Sequence, residues 1–412
     1  MRSREGHVQV ASLVRSSLSL KNHRVEDVAL REGRVVVNLD LISRRRLPCS
    51  ACGTFDPVRG RLPQRAWRHL PVWGVPVELR YRPARVACSA CGTPKVEVIP
   101  WSLGKSTLSR PLLVELATWS RLLAWDVVAD LYGVSWSTVV AAVEQAVAYG
   151  LARRDLSEVR VIGIDELSRR KGHLYHTNVY DIGSVPRRLI WSKEGRDKKA
   201  IEAFFDFLGP EQAKRIEAVC CDMWANYVEV VRERVPQAGL VFDKFHIVRH
   251  LLEAVNDVRK AEAMALKDAE PDLLKGTRYI WLKNPWNLTD RQLLRLHELE
   301  RRRGLKVLKA YELAHLWDYR SKTWAAKYLD RWFWWATHSR MEPMQAFAWM
   351  LRRHEEGILA YFDHRIDNGA VEAMNNNAKA ISHRARGFRS EKAFTLAMLH
   401  CMGNMELPPS LA

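Results

Sequence analysis

Two pairs of cysteines constrain the fold of the N-terminal region more than any other feature of the sequence. The pairs are Cys49/Cys52 and Cys88/Cys91, each with Cys-x-x-Cys spacing and each followed directly by glycine. Two such pairs supply four thiolates for one tetrahedral zinc ion, and a structural zinc site contributes folding energy directly. The spacing predicts a zinc-ribbon module within an N-terminal region of residues 1–100.

Two other interpretations of the cysteines are unrelated surface pairs and a redox-active thiol pair. A redox motif needs only one Cys-x-x-Cys, and neither pair lies in a thioredoxin-like pattern of strand and helix. The residues between the pairs alternate in polarity at positions such as Val75, Val77 and Leu79. This alternation predicts that they form the hairpin of the zinc ribbon itself.

The charge balance favours a polyanionic partner. The chain has 65 Lys and Arg against 47 Asp and Glu, which gives a formal net charge of +18. Such a protein is drawn to nucleic acid by counterion release. No apolar run reaches the roughly 18 residues of a membrane span, and residues 1–7 lead into no signal-peptide core. We therefore expect no membrane partner and a cytoplasmic, nucleoid-associated protein.

A helix-turn-helix is predicted at residues 105–150. The pattern has a small residue at Ala129, a turn at Gly133 and a β-branched core residue at Val139, with Ser135 placed to cap the second helix. Helical hairpins that do not touch DNA share this pattern, but the positive charge and the neighbouring zinc module favour DNA binding. The residues predicted to contact DNA lie in the first turn of the second helix and are Trp136, Ser137 and Thr138.

From Val159 the sequence changes to short strands and helices. Three consecutive strand patterns precede an alternation of helix and strand, an order typical of the ribonuclease-H-like fold. We predict a multidomain α+β protein in which a ribonuclease-H-like α/β catalytic core is interrupted by an all-helical insertion. The core occupies residues 157–246 and 363–412, and the insertion occupies residues 247–362.

Tryptophan is concentrated in the predicted insertion, where eight of the sixteen tryptophans lie between Trp281 and Trp349. One interpretation is that they fill the core of a helical bundle. The other is that one or two of them stack on unpaired bases at a distorted DNA end. The sequence pattern leaves both open.

Three acidic residues have the surroundings of a metal-dependent phosphoryl-transfer site. Asp165 and Asp222 each end an apolar, strand-like run, and Glu372 lies near the start of a polar helix. Adjacent parallel strands would bring the two aspartates together, and clustered carboxylates repel one another unless cations neutralise them. We predict these three residues as catalytic ligands of two Mg²⁺ or Mn²⁺ ions. The residues predicted to bind DNA phosphates follow on the same segment and are Lys379, Arg384 and Arg386.

Each acidic residue alone has a structural explanation. Asp at the end of a strand is a common turn former, and Glu near a helix N-terminus complements the helix dipole. Asp181 and Asp243 are the next candidates for carboxylate partners. Glu166 is a weaker one, because it points away from Asp165 if the strand continues. His246 is expected to pack or to hydrogen-bond locally.

Four segments between residues 162 and 389 carry a family resemblance. They are Ile162–Tyr175, Cys221–Tyr227, Phe242–His246 and Asn368–Arg389. In these segments the chain resembles the insertion-sequence transposases of the ISL-three family, a branch of the DDE transposases. The cysteine pairs and the helix-turn-helix also resemble the front end of that family. One departure is Ala373, where a glycine is expected after the glutamate.

The resemblance implies a DNA transposase, a metal-dependent polynucleotidyl transferase, with Asp165, Asp222 and Glu372 as its metal-binding triad. Such an enzyme would bind the terminal inverted repeats of its element, nick double-stranded DNA there, and join the exposed 3′ hydroxyls to target DNA. We expect it to act as a homo-oligomer on DNA. The competing hypotheses are a non-catalytic zinc and helix-turn-helix regulator and a metal-dependent nuclease that does not join DNA.

Overall fold

The structure is a computed structural model that describes most of the chain. The described residues are 10–18, 20–42, 46–170, 174–283, 287–302, 305–366, 369–385, 388 and 390–410. They form a mixed α/β protein with three sheets and sixteen α-helices. Contacts divide the chain into two compact units, Met1–Arg154 with Arg384–Ala412, and Asp155–His383.

The strands and helices are numbered in chain order. The strands are β1 His23–Arg31, β2 Arg34–Leu41, β3 Arg46–Pro48, β4 Phe55–Arg61, β5 Arg65–Val72, β6 Val75–Tyr81, β7 Ala84–Val86, β8 Lys95–Val96, β9 Val161–Arg170, β10 Leu174–Asp181, β11 Arg188–Glu194, β12 Ala218–Cys221 and β13 Gly239–Phe242. The helices are α1 Val10–Ser17, α2 Arg110–Ser120, α3 Trp125–Tyr132, α4 Trp136–Leu151, α5 Lys198–Leu208, α6 Pro210–Ala213, α7 Ala225–Arg234, α8 Lys244–Ala265, α9 Arg278–Trp281, α10 Asp290–Glu300, α11 Lys306–Tyr311, α12 Lys322–His338, α13 Glu342–Arg353, α14 Glu355–His364, α15 Gly369–Arg384 and α16 Glu391–Met402. A 3-10 helix spans Glu312–Asp318.

The first unit contains two four-stranded sheets, with strand orders β1-β2-β6-β5 and β3-β4-β7-β8. The hairpin predicted between the cysteine pairs forms as β5 and β6, but it does not join the sheet that flanks the cysteines, β3-β4-β7-β8. Strand β6 instead pairs in parallel with β2, with Val77 opposite Val35. The reason is burial: Val77 and Leu79 face a core that also contains Trp67 and Trp101, and β1 and β2 help to enclose it.

Helices α3 and α4 form the predicted helical hairpin. Gly133 ends α3 in the left-handed region at φ 54°, and the Ser135 side chain caps α4 by accepting from the Thr138 amide at 3.2 Å. The two axes differ by 110°. Among the described residues, no single helix has the length and apolar character of a membrane span. The bent α3–α4 pair meets that test only when its two helices are taken together.

The C-terminal residues pack with the first unit. His400, on α16, hydrogen-bonds through Nε2 to the Ala117 carbonyl at 2.6 Å, and a Cβ built on Gly150 would lie 2.6 Å from the Met405 side chain. This grouping differs from the predicted boundary, which assigned all of 363–412 to the catalytic core. The apolar face of α16 is buried against α4 rather than against the sheet of the second unit.

The second unit is built on a five-stranded sheet with the order β11-β10-β9-β12-β13. Strands β11, β10 and β9 are antiparallel neighbours, and β12 and β13 run parallel to β9. One face packs on α5 and α7 through a core that includes Ile164, Phe204 and Tyr227. The other face packs closely on α15, since a Cβ built on Gly163 would lie 2.2 Å from Val371 Cγ2.

Helices α8 to α14 form the predicted helical region after the sheet. The tryptophans that the structure describes in this region include both buried and exposed side chains. Trp281 and Trp332 are buried in the bundle core, as the first interpretation expected. Trp324, Trp334 and Trp349 are each more than half exposed, so they remain accessible for stacking on unpaired bases, the second interpretation.

Candidate catalytic and metal sites

Three aspartates lie close together on neighbouring strands of the five-stranded sheet. Asp222 directly follows β12 and Asp243 directly follows β13, and the Asp243 amide donates to the Cys221 carbonyl at 3.0 Å. The parallel pairing of Cys220 with Gly163 brings Asp165, two residues further along β9, beside Asp222. Asp165 does not end its strand as the sequence suggested, because β9 continues to Arg170.

Asp165 is tied to helix α15 by a short relay of hydrogen bonds. The Asn375 side-chain amide donates to Asp165 Oδ2 at 2.5 Å, and the Tyr180 hydroxyl donates to Asn375 Oδ1 at 2.6 Å. Asn375 is only 5% exposed, and Tyr180 is fully buried. Since Asn375 is three residues after Glu372, the relay positions the helix that carries Glu372 against the strand that carries Asp165.

The site concentrates negative charge in a partly dry environment. Burial is the main cause that raises the pKa of Asp165 to about 6; the Asp243 and Glu166 carboxylates act in the same direction, and the hydrogen bond from the Glu166 amide and the charge of His246 act against it. Burial also raises the pKa of Glu166, although the Tyr227 hydroxyl donates to it at 2.8 Å. Glu166 therefore faces α7 while Asp165 faces α15, as strand alternation requires.

Asp243 and His246 form a second group next to Asp222. His246 Nδ1 hydrogen-bonds to Asp243 Oδ2, and His246 Nε2 lies 3.9 Å from Asp222 Oδ2. The hydrogen bond with Asp243 raises the pKa of His246, and the negative charges of Asp222 and Asp165 act in the same direction. His246 does bond locally, as expected, but its second ring nitrogen faces the predicted catalytic aspartate.

Glu372 lies half-buried in the first turn of α15. Among the residues that the structure describes, the carboxylate oxygens of Asp165, Asp222 and Glu372 do not all lie within 4.8 Å of one another. A two-metal site distributes its ligands around two ions about 3.5–4 Å apart, so not every pair of ligands has to share one ion. Asp181 is elsewhere: it is fully buried in an ion pair with Arg188 at 3.2 Å.

The predicted phosphate-binding residues have different environments. Lys379 is exposed on α15. Arg384 instead donates to the Arg121 carbonyl at 2.9 Å and contacts Cys401 Sγ at 3.7 Å, so its guanidinium takes part in packing the first unit. Arg386 lies outside the described residues, as do residues 171–173, 368, 387 and 389 of the resembling segments.

The predicted DNA-contacting turn of α4 lies at the surface of the first unit. Trp136 is 48% exposed, with its ring 6.1 Å from that of buried Trp125. The hydroxyls of Ser137 and Thr138 each lie 2.8 Å from the Ser135 hydroxyl. They therefore form part of the helix cap, while the side of Trp136 away from Trp125 stays open to solvent.

The four cysteines form a compact group in the first unit. Their sulfur atoms all lie within 4.8 Å of one another, the only such group of three or more metal-binding side chains among the described residues. Gly53 and Gly92 follow the two pairs with φ of +76° and +65°, a conformation that lets each chain turn around the thiolates. Hydrogen bonds with Thr54 lower the pKa of Cys52 to about 6. This arrangement fits a structural zinc ion.

A cleft of about 710 Å³ opens beside the aspartates in the second unit. Its lining includes Glu166 and Asp222 and also Phe347 and Met350 of α13. Arg196 adds a positive charge to the wall. The cleft therefore joins the acidic group to an apolar surface of the helical region.

Sequence reasoning placed the acidic residues but missed the groups that hold them. Asn375 lies three residues after Glu372, yet nothing in the sequence identifies Tyr180 as its partner. The Asp243-x-x-His246 spacing was visible. Its proximity to Asp222 depends on the pairing of β12 with β13.

Comparison with known proteins identifies relatives along most of the chain. A family model for transposases of the ISL-three (ISL3) DDE type matches residues 162–398. The transposase for insertion sequence element IS1001 of Bordetella parapertussis is 31% identical over 358 residues, covering 84% of this chain and 87% of that protein. The transposase for insertion sequence element IS1557 of Mycobacterium tuberculosis is 31% identical over 425 residues, covering 93% and 94%.

Proposed function

The chain belongs to the ISL-three transposase family, and we propose that it is a DDE transposase that cleaves DNA at the ends of its own element and joins those ends to target DNA. Family membership implies a DNA-processing enzyme that uses divalent metal. The finer proposal concerns which residues hold the metal, which modules bind DNA, and whether cleavage is followed by joining.

The proposed catalytic core is ribonuclease-H-like and comprises residues 157–246 and the part of 363–412 that precedes Arg384, with the helical insertion at 247–362. The sheet order β11-β10-β9-β12-β13, three antiparallel strands followed by two parallel ones, supports this assignment. The proposed zinc module and the helix-turn-helix at 105–150 precede the core. The four-cysteine group and the 110° bend between α3 and α4 support these two modules.

One observation carries the catalytic assignment: Asp165 and Asp222 lie side by side on parallel strands, and α15 is joined to Asp165 through Asn375. We propose Asp165, Asp222 and Glu372 as the triad. Oxygen donors suit Mg²⁺ or Mn²⁺. Burial and neighbouring carboxylates raise the pKa of Asp165, and a cation bound beside the carboxylate would lower it again.

Divalent ions bound at such a site activate the attacking oxygen and stabilise the leaving one. The chain's own residues prepare the site for them. Asn375 orients the Asp165 carboxylate, and α15 brings Glu372 to the same face of the sheet. Lys379, exposed on the same helix, is proposed to bind a DNA phosphate. Arg384 is the weakest candidate for that role, because its donors are engaged with Arg121 and Cys401.

We propose that the front modules recognise the terminal inverted repeats. Trp136 offers a half-exposed ring in the first turn of α4, with Ser137 and Thr138 beside it. The net charge of +18 supports a long-range attraction to DNA. The proposed form is a homo-oligomer on double-stranded DNA, acting in the cytoplasm in association with the nucleoid.

The test combines purified protein, Mg²⁺ or Mn²⁺, labelled element-end DNA and a target plasmid. The proposal expects a joined product that disappears in Asp222→Asn and in Glu372→Gln while element-end binding is retained. Cleavage without joining would make the protein a nuclease, and binding alone would make it a regulator. Joining by Asp222→Asn at the wild-type rate would refute the triad.

A further inference from the structure

His246 is held in one orientation by a buried carboxylate. Asp243 caps the N-terminus of α8, where its side chain accepts from the Phe245 amide at 2.8 Å and binds His246 Nδ1. Asp243 is 2% exposed. Because the carboxylate is itself anchored to the helix backbone, the imidazole ring has little freedom to turn.

The other ring nitrogen of His246 faces Asp222. The distance from Nε2 to Asp222 Oδ2 is 3.9 Å, which is longer than a hydrogen bond of about 2.7–3.2 Å. It is a suitable separation for two donors that share one ion, since each donor lies about 2.0–2.2 Å from its metal. Both side chains are partly accessible, at 22% for His246 and 36% for Asp222, so an ion can reach the space between them.

We propose that His246 provides a nitrogen ligand, through Nε2, to the divalent ion held by Asp222, and that Asp243 is the positioning residue for this histidine. Histidines that bind metal usually donate their other ring N–H to a carboxylate, which fixes the tautomer and the ring orientation. This inference rests on the proposed function, because it assumes that Asp222 holds an ion.

A nitrogen donor changes the metal preference of the site. Mg²⁺ takes oxygen ligands and retains its waters, whereas Mn²⁺, a first-row transition metal that also favours oxygen ligands, accepts an imidazole nitrogen more readily than Mg²⁺ does. The site is therefore expected to bind Mn²⁺ more tightly than Mg²⁺. Loss of the imidazole is expected to reduce that difference.

The direct test is pulsed EPR of Mn²⁺ bound to the full chain, purified with its zinc. Wild-type protein is expected to show coupling of the Mn²⁺ electron spin to a histidine nitrogen. His246→Ala should abolish the coupling and weaken Mn²⁺ binding by about 10–100-fold. His250→Ala is the matched control, because His250 lies one turn later on α8 and pairs with Glu253. It should retain both the coupling and the affinity.

The outcomes separate this inference from the proposed function. Mn²⁺ that binds in an Asp222-dependent manner but shows no nitrogen coupling in the wild type overturns the His246 assignment and leaves the transposase proposal standing. If Asp222→Asn does not change Mn²⁺ binding, both are overturned. The wild-type spectrum alone tests for the nitrogen ligand, so this test does not depend on whether a variant folds. Asp243→Asn gives a second readout, because it retains a capping side chain but should weaken Mn²⁺ binding.

Discussion

Replacing Asn375 with alanine tests whether the relay between Tyr180 and Asp165 holds the catalytic helix in place. The substitution removes the 2.5 Å bond to Asp165 and the 2.6 Å bond from Tyr180. A hydrogen bond to a charged group contributes about 1.5–3 kcal/mol, and a buried hydroxyl left without a partner costs about 1–3 kcal/mol. The sum is about 2.5–6 kcal/mol. We expect about 3 kcal/mol, because Asp165 is only half-buried and water can replace part of its bond.

The consequence for activity follows from the position of Glu372, three residues before Asn375 on α15. Loss of groups that orient metal ligands typically costs 10–100-fold in metal affinity or activity. Asn375→Ala is therefore expected to slow DNA joining by about that factor. Asn375→Asp should be at least as harmful, since it places a second carboxylate within hydrogen-bonding distance of Asp165.

The matched control is Asn376→Ala, one residue later on α15, where the side chain is exposed. Urea unfolding should show a loss of about 3 kcal/mol for Asn375→Ala and less than about 0.5 kcal/mol for the control. Joining of labelled element-end DNA should separate the two variants in the same way. Equal stability and equal joining rates in the two variants would show that the relay does not position the helix.

Three further predictions concern other parts of the chain. Gly163→Ala should strongly destabilise the second unit in thermal unfolding, because the new Cβ would lie 2.2 Å from Val371 Cγ2; an unchanged midpoint would show that α15 shifts freely. Cys88→Ser should release zinc and abolish specific element-end binding, since a structural zinc site contributes folding energy; wild-type protein without bound zinc would contradict this. Burial lowers the pKa of His400 to about 4 from 6.5, so the folded state binds fewer protons than the unfolded state between these values. The contribution of His400 to the free energy of unfolding is then fully present above about pH 6.5, and it falls by up to about 3 kcal/mol as the pH drops to 4. A His400→Gln variant should lose this pH dependence of the unfolding free energy, measured by urea titration at several pH values.

The sequence by itself determined the local elements and much of the chemistry. The cap at Ser135 and the turn at Gly133 lie where the sequence pattern predicted them. The cysteine pairs were predicted to share an ion, and the structure brings the four sulfurs together. The cap, the turn and each Cys-x-x-Cys pair depend on residues within a few positions of one another, where periodicity, capping and spacing carry the information.

Only the tertiary structure decided how distant segments meet. The Asn375 bond to Asp165 joins residues 210 positions apart, and the bond from Tyr180 joins residues 195 positions apart. The β5–β6 hairpin was expected within the zinc ribbon but pairs with β2, and Asp165 was expected at a strand end but lies within β9. Alternating apolar residues specify that a strand has a buried face. Which strand pairs with it and which side chains cover that face depend on burial across the whole core, and this dependence leaves no local signal in the sequence.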